Sequence, residues 1–179
     1  MRLFIAIELP TDVKEHLEQL QKKIDGHFAQ LTLAKEIHLT LKFLAEVNEQ
    51  KISEINQKLK KIDFGAFTAS LGRTGVFPDE HYVKVVWVGV EPEKSIIFLQ
   101  QKIEKSLSGL FEPDTKFTPH LTLARVKFVK DKKLFIENLK KLEAEKKEFL
   151  VDSFKLIKST LTPKGPVYET IAEFKSKAL

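Results

Sequence analysis

Apolar residues recur at helical spacing in four segments of the chain. They predict helices over 11–25, 48–61, 94–108 and 131–145. The first helix shows the period most clearly, with one apolar side formed by Val13, Leu17, Leu20 and Ile24.

Shorter alternating or continuous apolar runs predict strands between and after these helices. They cover 1–8, 37–44, 66–76, 82–90, a segment after Pro119, 148–160 and 167–174. The connections 77–81 and 162–166 read as hairpin loops. Hairpins pair strands antiparallel, so we expect an α+β fold with mainly antiparallel sheets rather than a doubly wound one.

The order of elements nearly repeats along the chain. Strand, helix, strand, helix and two strands are followed by helix, strand, helix and two strands. This order suggests two related lobes. No Gly/Ser/Pro-rich linker separates them, so we expect residues 1–179 to form a single bilobal domain.

The same tetrapeptide, His-Leu-Thr-Leu, occurs in two of the predicted strands, at 38–41 and 120–123. Alternate side chains of a strand share a face, so His38 lies beside Thr40, and His120 beside Thr122. If the two strands face one another, each wall of a pocket carries an imidazole and a hydroxyl. Such a pocket suits metal-free phosphodiester chemistry, with one imidazole as acid and the other as base. The alternative is two ordinary strands with half-exposed histidines.

Alternation also predicts which face of each strand carries the cation that follows the tetrapeptide. It places Lys42 on the face of His38, and Arg125 on the face opposite His120 unless a bulge intervenes. Lys42 therefore has the better predicted geometry for binding phosphate. Both cations remain candidates, and solvated surface is the alternative for each.

An unperturbed imidazole has a pKa of ~6.5, so a proton donor and a proton acceptor can coexist near pH 7. A bound phosphate would raise the pKa of one histidine and keep it charged. Thr40 and Thr122 could donate hydrogen bonds to the non-bridging oxygens. The remaining histidines, His16, His27 and His81, are expected at the surface.

Composition excludes several classes of site. The chain has no cysteine, which excludes disulfides, thiolate zinc sites and cysteine nucleophiles. It also lacks the P-loop and G-x-S-x-G patterns. Its net charge of +5 favours a polyanionic partner. No apolar run approaches the ~18 residues of a membrane span, so we expect a cytoplasmic protein without membrane, metal or other cofactor.

Four segments together resemble the two-histidine (2H) phosphoesterase superfamily. Within it they are most similar to the 2′-5′ RNA ligase family, now described as RNA 2′,3′-cyclic phosphodiesterases. The segments are 2–7, 37–44, 117–125 and 159–168. Ala45 stands where that family often has glycine, which we interpret as a tolerated turn variant.

The resemblance implies a two-lobed fold with helices on the outside and pseudo-twofold symmetry around a central groove that holds both tetrapeptides. It implies hydrolysis of a terminal 2′,3′-cyclic phosphate to a 2′-phosphate, with weak reversible 2′-5′ joining of RNA ends. By family practice the first histidine, here His38, donates a proton to the departing 3′ oxygen. The second, here His120, accepts a proton from water. The sequence itself leaves the opposite assignment open.

The implied substrate is RNA with a terminal 2′,3′-cyclic phosphate, such as a tRNA half, bound by a monomer. Phe4 would stack on a base, with core packing as its alternative. Tyr168 and Ser159 would edge the groove. Two other hypotheses remain open, a non-catalytic RNA- or nucleotide-binding module and a 2H relative acting as an RNA exonuclease or small cyclic-nucleotide phosphodiesterase.

Overall fold

A computed structural model describes residues 1–163 and 165–177 of the chain. In this part of the protein the helices are α1 (Thr11–Gln21), α2 (Ile52–Leu59), α3 (Glu93–Ser106) and α4 (Lys132–Lys140). The strands are β1 (Arg2–Glu8), β2 (Ala29–Leu33), β3 (His38–Glu46), β4 (Phe67–Phe77), β5 (Val85–Glu91), β6 (His120–Val129), β7 (Glu148–Val151), β8 (Ser153–Thr162) and β9 (Gly165–Lys175).

The strands form one antiparallel sheet in the order β7-β4-β5-β6-β3-β1-β8-β9, and β2 pairs with β6 outside that path. The sheet divides where β3 meets β6. We call β3, β1, β8 and β9 the first lobe, and β6, β5, β4 and β7 the second. Each lobe places its tetrapeptide strand at the junction, so the order is symmetric about it. The predicted two-lobed α+β fold with pseudo-twofold symmetry is confirmed, with both lobes sharing a single sheet.

One hydrophobic core joins the two lobes. Leu39 and Leu121, from the strands at the junction, are completely buried in it. Their neighbours along each strand point to the opposite face of the sheet, which leaves that face for a groove. The helices cover the core with apolar stripes that include Val13, Leu17, Leu20, Ile55, Leu59, Ile96, Leu99, Ile103, Phe135 and Leu139.

Side chains that accept hydrogen bonds from the backbone lie at the starts of the helices predicted over 48–61 and 131–145. The Asn48 side chain accepts a hydrogen bond from the Gln50 backbone N–H at 3.0 Å, in a short 3₁₀ turn that leads into α2. The Asp131 side chain accepts one from Leu134 N–H at 3.0 Å and caps α4. Within the described residues, no helix has both the length and the apolar character needed to cross a membrane.

The predicted strand over 148–160 is in fact two strands. Asp152 separates β7, which pairs with β4 in the second lobe, from β8, which pairs with β1 in the first. The apolar pattern runs on across this point, so nothing local marked the crossing. The short strand β2 was also missed, although its residues 29–33 alternate between apolar and polar.

Candidate active site

The two tetrapeptide strands lie side by side at the junction of the lobes. Leu39 is opposite Leu121 in an antiparallel pair, so His38 neighbours Thr122 and His120 neighbours Thr40. With this register the two histidines are diagonal neighbours on one face, a position in which Cα atoms are about 7–8 Å apart. Both imidazoles can therefore reach one phosphate. The expectation of two facing walls is wrong, since both strands belong to the floor of the groove.

A bulge interrupts each strand at the last leucine of the tetrapeptide. Thr40 is opposite Ala6 but Lys42 is opposite Ile5, which leaves Leu41 as an extra residue. The second tetrapeptide shows the same feature at residue 123, between the pairs Trp87–Thr122 and Val86–Ala124. A bulge inverts the alternation of the residues after it. The faces predicted beyond residues 41 and 123 are therefore exchanged.

The prediction that Lys42 lines the phosphate-binding face is wrong. The bulge turns its side chain into the core, where it is 1% exposed. Lys42 Nζ donates to both carboxylate oxygens of Glu104 at 2.9 and 2.8 Å, and to the Glu112 carbonyl at 3.0 Å. A buried lysine needs such partners to remain charged. Lys42 thus ties β3 to α3 and to the segment that precedes the second tetrapeptide.

The same inversion brings Arg125 to the face of His120. Its side chain is exposed, and its charge lowers the pKa of both His38 and His120. The bulge that turns Arg125 is held by Gln21 of α1, a buried residue whose Nε2 donates to the Leu123 carbonyl at 2.7 Å. Sequence reasoning missed Gln21, although a polar residue on the apolar side of α1 was an available signal.

Both histidines are oriented by the carbonyl two residues before them. His38 Nδ1 lies 2.8 Å from the Glu36 oxygen, and His120 Nδ1 lies 2.8 Å from the Thr118 oxygen. A carbonyl oxygen only accepts hydrogen bonds, so Nδ1 carries a proton in both rings. Nε2 is then the nitrogen that takes up or releases a proton during a reaction.

Burial shifts both histidines towards the neutral form. It lowers the pKa of His38 to about 4, against the opposing hydrogen bond to Glu36 and with help from the charges of Lys14 and Arg125. Burial also lowers the pKa of His120, against the bond to Thr118. Without substrate both rings are therefore neutral at pH 7. The pairing of one acid with one base has to be established by the bound phosphate.

Phe4 supports His38 from within the protein. It is 3% exposed, and its ring stacks on the His38 ring with centroids 4.8 Å apart. Tyr168 packs edge-on against His38 at 5.3 Å and against Phe4 at 5.2 Å. The prediction that Phe4 stacks on a base is wrong, because its ring faces are covered. Phe43 follows the bulge and lies beside Phe4. Its own ring is 60% exposed and is therefore open to a ligand.

His120 has a different aromatic setting, which the sequence did not indicate. Phe77 meets its ring edge-on at 4.9 Å, and the Trp87 ring lies 6.4 Å away. A Cβ atom at Gly75 would lie 2.3 Å from Trp87, so the indole occupies the space above that glycine. Alternating apolar strands normally indicate a core, and no local signal set these two rings apart.

The remaining predicted positions lie around the groove or away from it. Ser159 is opposite Tyr168 in the hairpin of β8 and β9, and lines a cavity of about 330 Å³. Elsewhere, the His27 side chain is 91% exposed, and His16 accepts a hydrogen bond from the Glu145 backbone N–H at 3.2 Å. Within residues 1–163 and 165–177, no three His, Cys, Asp or Glu side chains are grouped closely enough to hold a metal ion.

Comparison with known proteins gives a family match over most of the chain. A family model described as LigT like phosphoesterase matches residues 7–87 and again residues 88–168. The two matches correspond to the two halves of the chain, and each contains one tetrapeptide. The same family model thus matches each half of the chain, in keeping with the duplication suggested by the order of elements.

Individual relatives match over nearly their full length. An RNA 2′,3′-cyclic phosphodiesterase of Methanocaldococcus jannaschii is 35% identical over 176 residues, covering 97% of this chain and 100% of the relative. One from Thermotoga maritima is 36% identical over 178 residues, covering 97% and 94%. A crystal structure of a Thermus thermophilus protein superposes with a TM-score of 0.82 at 29% identity, covering 98% and 97%.

Proposed function

Because the chain belongs to the LigT-like phosphoesterase family, we propose that it is an RNA 2′,3′-cyclic phosphodiesterase that opens a terminal cyclic phosphate to a 2′-phosphate. The observation that carries the proposal is the placement of His38, Thr40, His120 and Thr122 on one face around the pair Leu39–Leu121. An imidazole and a hydroxyl from each lobe can then surround one phosphate. This is the arrangement that in-line displacement needs.

In the proposed reaction a water molecule attacks the phosphorus atom as the bond to the 3′ oxygen breaks. His120 Nε2 accepts the proton of the water, and His38 Nε2 donates one to the 3′ oxygen. Thr40 and Thr122 donate hydrogen bonds to the non-bridging oxygens, where negative charge accumulates. The assignment of His38 as donor follows the family resemblance, and it requires the bound phosphate to raise the pKa of His38 from its low value in the free protein.

The groove suggests how the substrate is held without metal. In this proposal Arg125 binds a backbone phosphate, and the exposed Phe43 takes the stacking role first expected of Phe4. Tyr168 supports His38 from beside the groove. We further propose that the enzyme is a cytoplasmic monomer that acts on RNA ends such as tRNA halves. With a ribose hydroxyl in place of water, the same site would join RNA ends through a 2′-5′ bond.

Replacing either histidine tests the proposal directly. His38→Ala and His120→Ala should each lower kcat for a 2′,3′-cyclic oligoribonucleotide at least ~100-fold, the usual scale for loss of an acid or base. His27→Ala is the matched control, since that side chain is 91% exposed and outside the groove. Full activity in either groove variant would refute the assignment. Loss of activity on chelation, restored by zinc, would refute the metal-free mechanism.

A substrate panel separates the proposal from its alternatives. Cyclic mononucleotides, cyclic-phosphate oligomers and 2′-5′-linked RNA should be incubated with the wild-type protein, and products identified by mass. Opening of the cyclic phosphate to a 2′-phosphate supports the proposal. Progressive shortening of RNA would instead indicate an exonuclease. Binding without any product would indicate a non-catalytic module.

A further inference from the structure

The second lobe has a cavity that the proposed reaction does not use. Its volume is about 350 Å³, and it lies between the β4–β5 connection and the junction of β6 with α4. Two aromatic rings at this cavity, Tyr82 and Phe128, are each 62% exposed. Lys84, Lys127 and Lys132 line it as well. These five residues are called the lysine–aromatic surface below.

The Tyr82 ring of this surface is held in place by the protein. The Asp79 carboxylate accepts hydrogen bonds from the backbone N–H groups of His81 at 2.7 Å and Tyr82 at 3.1 Å, which fixes the loop that carries Tyr82. Lys84 Nζ lies 4.4 Å from the centre of the Tyr82 ring. Beneath the cavity Phe135 is completely buried. An exposed ring that is already ordered loses little entropy when a ligand stacks on it.

The charge of the surface favours a polyanion. Glu80 also lines the cavity, but its carboxylate lies 3.1 Å from Lys140 Nζ, which balances its charge. Among the described residues no carboxylate forms an ion pair with Lys84, Lys127 or Lys132. Lysines contribute charge for phosphates, and open aromatic rings contribute stacking for unpaired bases. Single-stranded nucleic acid is the ligand that uses both.

Strand β6 connects the lysine–aromatic surface with the proposed active site. Strand β6 begins at His120, passes Arg125 and reaches Phe128, a distance of about 26 Å at ~3.3 Å per residue. Val126 N–H donates to the Lys84 carbonyl at 2.8 Å, which joins the loop to this strand. A mononucleotide at the histidines cannot reach the surface. An RNA chain of several nucleotides can reach both.

We propose that the lysine–aromatic surface binds the single-stranded RNA upstream of the cyclic phosphate, several nucleotides from the reacting ester. This inference rests on the proposed function and makes it more specific. The preferred substrate is an oligoribonucleotide, whose upstream bases stack on Tyr82 and Phe128. Arg125 lies on the path between the two sites.

Kinetics on a short and a long substrate test this proposal. For the variant Tyr82→Ala/Phe128→Ala, KM for an octaribonucleotide with a 2′,3′-cyclic end should rise about tenfold, as expected for loss of base stacking. Kinetics on a 2′,3′-cyclic mononucleotide should not change. Phe98→Ala is the matched control, because Phe98 is 58% exposed on α3 and has Lys102 Nζ 4.7 Å above its ring. An unchanged octamer KM, or equal losses on both substrates, overturns the proposal.

Binding measurements keep the test independent of catalysis. An octamer with an ordinary 3′ hydroxyl should bind the double variant about tenfold more weakly by fluorescence anisotropy. Lys84→Gln/Lys127→Gln should reduce the salt dependence of binding, by about 0.7 in log–log slope for each phosphate that is no longer neutralised. If the wild type hydrolyses neither substrate, the proposed function fails. The weaker binding and the reduced salt dependence of the variants would still support RNA binding at the lysine–aromatic surface. Equal binding by wild type and variants means that RNA does not occupy it.

Discussion

The two histidines share one orienting device but differ in what surrounds them. Each donates from Nδ1 to a carbonyl at 2.8 Å. His38 is enclosed by a stacked phenyl ring and a tyrosine edge, whereas His120 has an edge-on phenyl and an indole. The closer enclosure of His38 accompanies its larger fall in pKa. Environment, rather than residue type, therefore makes the two imidazoles unequal.

The pH profile should reflect these lowered pKa values. In the free protein the pKa of each histidine lies below 6.5, so the form with one ring protonated is most populated in acid. We therefore expect kcat/KM for a 2′,3′-cyclic mononucleotide to be greatest below pH 6.5 and to fall as pH rises, since kcat/KM reports the free enzyme. Arg125→Gln should move the profile towards neutral pH, because Arg125 lowers both pKa values. A wild-type maximum above pH 7 would contradict this.

Ala45 adopts a backbone conformation that suits glycine. Its φ of 55° lies in the left-handed region, where a side chain costs roughly 1 kcal/mol. Ala45→Gly should thus raise the free energy of unfolding by up to about 1 kcal/mol, measured in urea. The matched control is Ala66→Gly, an exposed position without this conformation, where added chain entropy should lower stability by about 0.4–1 kcal/mol. Equal destabilisation by both would show that φ at residue 45 carries no cost.

At the scale of elements, the paired bulges determine which cation faces the groove. The bulge at Leu41 buries Lys42, and the bulge at Leu123 presents Arg125. Helix α1 supports the second bulge through Gln21, which also donates to the Ala34 carbonyl at 2.8 Å. A buried glutamine thus acts on the groove through the backbone, and we regard it as a positioning residue for Arg125.

A double-mutant cycle tests this positioning role. Gln21→Met preserves volume but removes both hydrogen bonds, so it should lower stability by about 1–3 kcal/mol. It should also lower kcat/KM, and the loss should not add to that of Arg125→Gln, because both changes act through the same guanidinium. Gln30→Met, an exposed change in β2, is the control. An unchanged kcat/KM would show that Gln21 serves stability alone, and a fully additive loss would show that it acts independently of Arg125.

The same bulges mark the limit of what the sequence predicts. Repetition of a rare tetrapeptide predicted that His38 and Thr40, and likewise His120 and Thr122, share a face, and the structure agrees because those residues lie before the irregularity. Lys42 and Arg125 lie beyond it, and their faces depend on registers with β1 and β5 that no local pattern encodes. The division at Asp152 was missed for the same reason, since pairing partners on two lobes separate β7 from β8.

At the scale of the whole molecule, the first lobe is not a continuous stretch of chain. The first lobe consists of β1 and β3 together with β8 and β9, which follow every strand of β4 to β7. One core cluster includes residues from both lobes. We therefore propose that the protein unfolds as one cooperative unit, in keeping with a single domain.

A destabilising substitution in one lobe should also lower the urea midpoint measured in the other lobe. Phe154 is completely buried in the first lobe and stacks on Phe174 with centroids 5.0 Å apart. Phe154→Ala should cost about 3–5 kcal/mol. The fluorescence of Trp87, the single tryptophan, reports on the second lobe. In the variant, the urea midpoint followed by this fluorescence should fall together with the midpoint followed by circular dichroism. A Trp87 transition that stays in place would show that the lobes unfold separately.

Phe43 and Arg125 stand at equivalent places in the two halves, each directly after a bulge and its buried neighbour. The two identical tetrapeptides do not by themselves distinguish a bound strand from its reverse. A ring at one end and a cation at the other remove that ambiguity. We therefore propose that these two non-reacting side chains help to set the 5′ to 3′ direction in which an RNA strand is bound.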